Sequence, residues 1–227
     1  MPSSTPKTTI IVPCAGFGTR VGSPPAKELL LNPSTQRPLI DHSLVVAQDH
    51  QWNKVLITRP EKKALMDYVT RFELAHDTKT QWVLVQKTLE WPDSVLKSSD
   101  FWSEQNILIL PDTSWTPAGL EKKIVQRLDS FDVSFGLFDT LEKHTWGTVS
   151  IQGDTLHLHE KPPKAGADFK AWGLIAFKKN IGKTLFTSIL ESTLDHQVKS
   201  LQIRACSTMM NSFVDHTRSE GNYVYKT

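Results

Sequence analysis

The chain has 227 residues, 39% of them hydrophobic, which is enough to bury a sizeable core and too few to suggest several domains; residues 1–227 are expected to form a single domain. Twenty-six basic against 24 acidic side chains leave a formal net charge of +2, so no nucleic-acid partner is expected and any phosphate chemistry must come from local placement. The apolar run Ile10-Ile11-Val12 is far shorter than a signal-peptide core or a membrane span, which points to a cytoplasmic protein without a membrane partner, and two cysteines, Cys14 and Cys206, exclude a disulfide framework or a multi-thiolate zinc site.

Along the chain, short β-branched runs alternate with longer helical patterns, the signature of an α/β domain. Residues 8–12, 54–58, 82–85 and 106–110 read as four strands. Helices are predicted over 38–48 and 60–73, the second with Pro60 at a first helical position, where its missing N–H would be unpaired in any case. Within 116–128, Leu120, Ile124 and Leu128 recur every four residues, one apolar stripe for a helix packed on the sheet. The pattern then turns strand-like at 132–138, 147–151 and 155–160, with Gln152-Gly153-Asp154 as a hairpin turn, so a β-rich insertion is expected. Residues 171–177 return to a strand, 181–193 read as a helix, and one more extended run ends near Asp215.

The segment Pro13-Cys14-Ala15-Gly16-Phe17-Gly18-Thr19-Arg20 follows the first strand, at the carboxyl end where open α/β sheets place ligands. Its two glycines let backbone N–H groups approach phosphate oxygens, and Arg20 and Lys27 bring positive charge. A bare strand-to-helix turn would explain the glycines equally well. Three better-known phosphate motifs do not fit. A dinucleotide fingerprint needs glycine where Val21 stands; a P-loop ending in Gly182-Lys183-Thr184 has Phe177 in place of its first glycine; and no His-Arg-Asp or Asp-Phe-Gly tripeptide supports a kinase.

Ala15-Gly16-x-Gly18-Thr19-Arg20, then Lys27-Glu28-Leu29-Leu30, then Arg37-Pro38-Leu39-Ile40 resemble the sugar-1-phosphate nucleotidyltransferases typified by glucose-1-phosphate thymidylyltransferase and UTP-glucose-1-phosphate uridylyltransferase. The resemblance continues through Leu110-Pro111-Asp112, Trp146-Gly147-Thr148-Val149, Glu160-Lys161-Pro162, Ala171-Trp172-Gly173 and Phe213-Val214-Asp215, in family order over nearly the whole chain. It implies a three-layer Rossmann-like nucleotidyltransferase fold with a mostly parallel central sheet and a β-rich insertion on the substrate side. It also implies transfer of a nucleoside monophosphate from a nucleoside triphosphate to a sugar 1-phosphate, with release of pyrophosphate and Mg²⁺ as cofactor.

The residue roles implied by the resemblance are catalytic for Arg20 and Lys27, nucleotide-binding for Ala15, Gly16, Gly18, Thr19 and Gln86, and metal-binding for Asp112 and Asp215. Gly147, Glu160, Lys161, Trp172 and Gly173 take the sugar phosphate. Pro111 departs from the family's usual glycine, and the family's base-reading segment is matched only in part, with Gln86 present but Trp91-Pro92 where a glycine and a small residue are common. The short stretch from Arg20 to Lys27 is similar to that of methylerythritol phosphate cytidylyltransferase, the alternative within the same chemistry. A non-catalytic nucleotide-sugar binding protein is the alternative outside it, and homo-oligomerisation stays open.

The implied chemistry suits these residue types. A phosphate oxygen that attacks phosphorus in line is already an anion, so charge management replaces nucleophile activation. An arginine can bridge phosphate oxygens, a lysine supplies a point charge, and Mg²⁺ takes one or two carboxylates. Simpler readings exist for several residues. Asp112 could cap the helix expected near Thr116, and Asp215 could lie at the surface. His157 and His159 share one face of a strand, without a third metal ligand at supportive spacing. Of the seven tryptophans only Trp172 is expected outside ordinary packing, while Glu61-Lys62-Lys63 and Glu121-Lys122-Lys123 read as solvated helix faces.

Overall fold

In the computed structural model, which describes residues 8–17, 26–164 and 166–217 and the backbone of 223–226, the first apolar run forms β1 (Thr8–Pro13) at the centre of the sheet. It lies between β2 (Asn53–Thr58) and β4 (Gln105–Ile109), with β3 (Thr80–Leu84) beyond β2, all parallel. Burial on both faces is why β1 reads as a continuous apolar run: Ile10 and Val12 enter one core and Ile11 the other.

The small sheet strand β5 (Thr113–Thr116) follows β4, and β6 (Val133–Phe138) re-enters the main sheet. A hairpin of β7 (Gly147–Gln152) and β8 (Thr155–Glu160) closes through Gly153 and Asp154, and Gly153 takes the left-handed conformation that such a turn requires, with φ +58°. The long β9 (Lys170–Lys178) organises the rest. One edge pairs antiparallel with β4 and, further along, with β7; the other pairs antiparallel with β6. β10 (Lys199–Gln202) extends the hairpin side and β11 (Ala205–Met209) lies parallel to β6. β12 (Ser212–Asp215) joins β5 and β13 (Tyr223–Lys226) in a separate three-stranded sheet.

Helices cover both faces. The core on one side takes residues from α1 (Asp41–Asp49), α2 (Lys63–His76) and α4 (Leu120–Gln126); the other takes them from α3 (Trp91–Leu96) and α5 (Lys179–Asp195). This is the expected three-layer α/β architecture with a mostly parallel centre and an antiparallel insertion. Leu120, Ile124 and Leu128 are all buried, as their spacing predicts. Gly182 lies inside α5, where an added Cβ would come within 2.4 Å of Trp102 and 2.6 Å of Phe177, so close packing, not phosphate binding, explains the glycine. Among the described residues no helix is long and apolar enough to cross a membrane.

Several expectations are corrected. The helix expected from residue 116 begins at Leu120, because β5 occupies Thr113–Thr116 and pairs with β12; Asp112 therefore leads into a strand and does not cap a helix. Two of the charged triplets are not wholly solvated. Lys62 is 5% exposed and bonds both carboxylate oxygens of the fully buried Glu28 at 2.8 and 2.9 Å, and Glu121 is 4% exposed, with His50 and Trp115 on its carboxylate. His157 and His159 bond Ser200 Oγ and the carbonyl of His196, and no group of three metal-ligating side chains occurs among the described residues.

Candidate active site

The carboxyl ends of β1, β2, β3 and β4 open onto one side of the sheet, and the loops that leave them line a cleft of about 490 Å³. Pro13, Ala15, Gly16 and Phe17 come from the first loop, Arg59 from the second, Thr88 to Trp91 from the third, and Leu110 to Asp112 from the fourth. Across from them stand Gly147, Glu160, Lys161 and Trp172 of the antiparallel insertion and β9, with Asp215 and Thr217 from the end of β12.

Lys27, in a single 3₁₀ turn, lines the cleft and places its Nζ 2.5 Å from Asp112 Oδ2. Burial works against its charge, but Asp112, with Glu28 and Asp215, outweighs burial and raises the pKa above the usual lysine range. The turn is anchored next door by the Glu28–Lys62 pair, and Lys62 also donates to the Cys14 carbonyl at 2.7 Å. A buried ion pair thus ties the glycine loop, the Lys27 turn and α2 together.

Asp112 and Asp215 are both nearly buried, at 7% and 5% exposure. The Thr217 hydroxyl lies 2.7 Å from Asp215 Oδ1 and 3.4 Å from Asp112 Oδ2, and the Thr217 N–H donates to Asp215 Oδ1 at 2.9 Å. Pairing of Asp215 with Thr113 across β12 and β5 brings the two carboxylates, a hundred positions apart in sequence, onto one wall. Two carboxylates facing a cleft that also holds the glycine loop suit Mg²⁺, which takes few protein ligands and completes its octahedron with phosphate and water.

At the opposite end, Gly147 pairs with Glu160 between β7 and β8. A Cβ on Gly147 would come within 2.2 Å of both Glu160 Oε2 and Trp172 Nε1, so only glycine lets the carboxyl and the indole meet there. Burial pushes the Glu160 carboxyl up to about 7, opposed by Lys161 and by the Trp91 N–H, which donates to Glu160 Oε1 at 3.2 Å. Lys161 turns the chain out of β8 at φ +45°, a conformation rare for a side-chain-bearing residue and often held at functional sites.

Of the residues expected in the site, Ala15, Gly16, Lys27, Asp112, Gly147, Glu160, Lys161, Trp172 and Asp215 line the cleft. Gly18, Thr19 and Arg20 lie outside the described residues. Gly173 is not among the lining residues; an added Cβ there would meet Phe213 at 2.2 Å, so its role is close packing behind Trp172. The Gln86 side chain does not line the cleft either, and its carbonyl accepts from Arg59 Nη1. Arg59 was not legible as a site residue. It donates to the Ala15 carbonyl at 2.7 Å and stacks over Phe17 at 3.9 Å, and its position just past a parallel strand was the only available signal. Thr217 and the inward side of the Glu28–Lys62 pair gave none.

Solved structures share this architecture. A Bacillus anthracis protein described as a glucose-1-phosphate thymidylyltransferase in complex with sucrose is similar at a TM-score of 0.72 and 15% identity, over 93% of this chain and 90% of that one. A UDP-glucose pyrophosphorylase from Acinetobacter baumannii is similar at 0.68 and 17% identity, over 93% and 89%, and the UTP-bound enzyme from that organism at 0.65 and 17%, over the same shares. No protein-family model matches the chain. No curated protein matches it in sequence. The chain has the nucleotidyltransferase fold of these pyrophosphorylases.

Proposed function

We propose that the chain is a Mg²⁺-dependent nucleotidyltransferase that moves a nucleoside monophosphate from a nucleoside triphosphate to a sugar 1-phosphate and releases pyrophosphate. One observation carries this reading: Lys27 and the Asp112–Thr217–Asp215 wall line a single cleft together with a glycine loop and the Gly147–Glu160–Trp172 group. A triphosphate on the loop and an acceptor phosphate at Lys161 would meet at Lys27.

In this reading the Ala15–Gly16 backbone approaches the triphosphate, and the resemblance assigns Arg20 to its phosphates. Lys27, held cationic by its acidic neighbours, offsets the repulsion between the incoming phosphate oxygen and the α-phosphate. Asp112 and Asp215 would hold Mg²⁺, which supplies charge neutralisation of the phosphates. Trp172 and Glu160 orient the acceptor, and the acceptor's own anionic oxygen forms the new bond as pyrophosphate leaves, so no side-chain nucleophile is required. The Glu160-Lys161-Pro162 motif, whose glutamate and lysine line the cleft, favours a sugar acceptor over the methylerythritol-type alternative.

The test is pyrophosphate release from a panel of nucleoside triphosphates and sugar 1-phosphates, with and without Mg²⁺; no release from any pair would overturn the proposal. Asp112→Asn separates enzyme from binder. Triphosphate binding should survive while turnover falls by two orders of magnitude or more, roughly the loss seen when a charge-stabilising group is removed from an active site. Wild-type binding without any turnover would favour the binder.

A further inference from the structure

The acceptor end of the cleft is walled by indoles. Trp91 opens α3, is half-buried, and packs on Trp172 with ring centroids 5.5 Å apart and on Phe186 at 6.2 Å. Its carbonyl accepts from Ser94 Oγ at 2.6 Å and the next residue, Pro92, is buried, so the ring is held in place. Its N–H points at Glu160 Oε1. A carboxylate with both oxygens open can take two neighbouring hydroxyls of a sugar ring; here the Trp91 indole already sits on Oε1, and Oε2, beside Gly147 and Trp172 Nε1, is the oxygen with no side chain bonded to it among the described residues. Among the described residues no acceptor is bonded to Trp172 Nε1, which leaves it as a donor beside that oxygen.

Resting on the transferase reading, which places the acceptor sugar at Glu160, we propose that Trp91 is the specificity-determining residue of this end. It covers Glu160 Oε1 and presents, with the Trp172 ring, an apolar wall, so the acceptor is a deoxysugar 1-phosphate that offers a single hydroxyl to Glu160 Oε2. A second hydroxyl directed at the ring faces, away from Trp172 Nε1, would lose water without gaining a partner. An apolar surface rejects an added hydroxyl by about a hundredfold at most, so the preference is expected between about tenfold and a hundredfold.

The experiment compares glucose 1-phosphate with its 2-, 3-, 4- and 6-deoxy analogues on wild type, W91F and W91H, by calorimetric binding and, separately, by pyrophosphate release. In wild type at least one analogue should bind tenfold or more tightly than glucose 1-phosphate. W91F keeps an aromatic ring but frees Glu160 Oε1, and should bring that ratio close to one by improving glucose 1-phosphate. W91H retains an N–H donor and should keep much of the preference; circular dichroism confirms that each variant is folded. Equal affinities in wild type, no binding of any of the five, or a ratio that W91F leaves unchanged would each overturn the proposal. Turnover decides the other question independently: selective binding without pyrophosphate release sinks the transferase reading alone, and release with an unaltered W91F ratio sinks only the role of Trp91.

Discussion

At the scale of single residues, the cleft is arranged so that burial and neighbours push charges in opposite directions at its two ends. Lys27 is half-buried and kept cationic by Asp112 against that burial, whereas Glu160 is buried with too little compensation and its pKa rises to about 7. The consequence for stability follows from linkage. Between about pH 4.5 and 7 the native protein binds a proton at Glu160 that the unfolded chain has released, so this group's contribution falls as pH rises through that window, by about 3 kcal/mol in all, and is flat above it. Urea unfolding of wild type and Glu160→Gln across pH 4 to 8 should show the wild-type curve descending relative to the variant. Parallel curves would mean that Glu160 titrates normally. Glu160 was identifiable in the sequence through Glu160-Lys161-Pro162, but the depth of its burial was not, because β10 and α5 close over β8 from distant parts of the chain.

At the scale of elements, the Lys27 turn is one 3₁₀ turn long and has too few internal bonds to hold itself. Its rigidity is supplied by the Glu28–Lys62 pair, which fixes it to α2 and to the Cys14 carbonyl. Lys62→Met leaves Glu28 buried without its partner and should cost about 3–5 kcal/mol; Lys62→Met with Glu28→Gln should recover a large part of that, since the isolated charge is the main penalty. Chemical denaturation of both variants checks this, and a single variant as stable as wild type would remove the pair from the account. Short elements are also where the sequence was least informative. β5, β10 and α3 span four to six residues, and β10 alternates half-buried with exposed positions as an edge strand does, so neither periodicity nor composition separates them from loops. β5 is specified by its partner β12, a hundred positions later, and that pairing displaced the expected start of α4.

At the scale of the whole molecule, the two ends of the cleft belong to different parts of the sheet: parallel strands carry the loop end, and the antiparallel hairpin with β9, joined by Trp91 from the loop after β3, carries the other. Ligands should therefore report on them separately. A nucleoside triphosphate at a hundred times its Kd adds about 2.7 kcal/mol to the native state and raises Tm accordingly. Arg59→Met, which unties the Ala15 and Gln86 carbonyls, should diminish the triphosphate shift and leave a sugar-phosphate shift in place. Loss of both shifts together would show that Arg59 supports the fold and not one end of the site.

The sequence by itself determined the parallel core and named most of the expected residues that line the cleft. Continuous apolar runs specify strands buried on both faces, the four-residue stripe of Leu120, Ile124 and Leu128 specifies a packed helix, and residues such as Lys27, Asp112 and Glu160 stand in motifs whose order survives without any knowledge of distance. Only the tertiary structure decided which of these meet and what holds them. Thr217 between two carboxylates, Lys62 beneath the Lys27 turn, Arg59 across two loops and Trp91 on Glu160 all depend on contacts between segments far apart in the chain. Local pattern reports a residue's own periodicity and type, whereas a charge pair or a shared hydroxyl exists only once packing has excluded water and brought both partners within bonding distance.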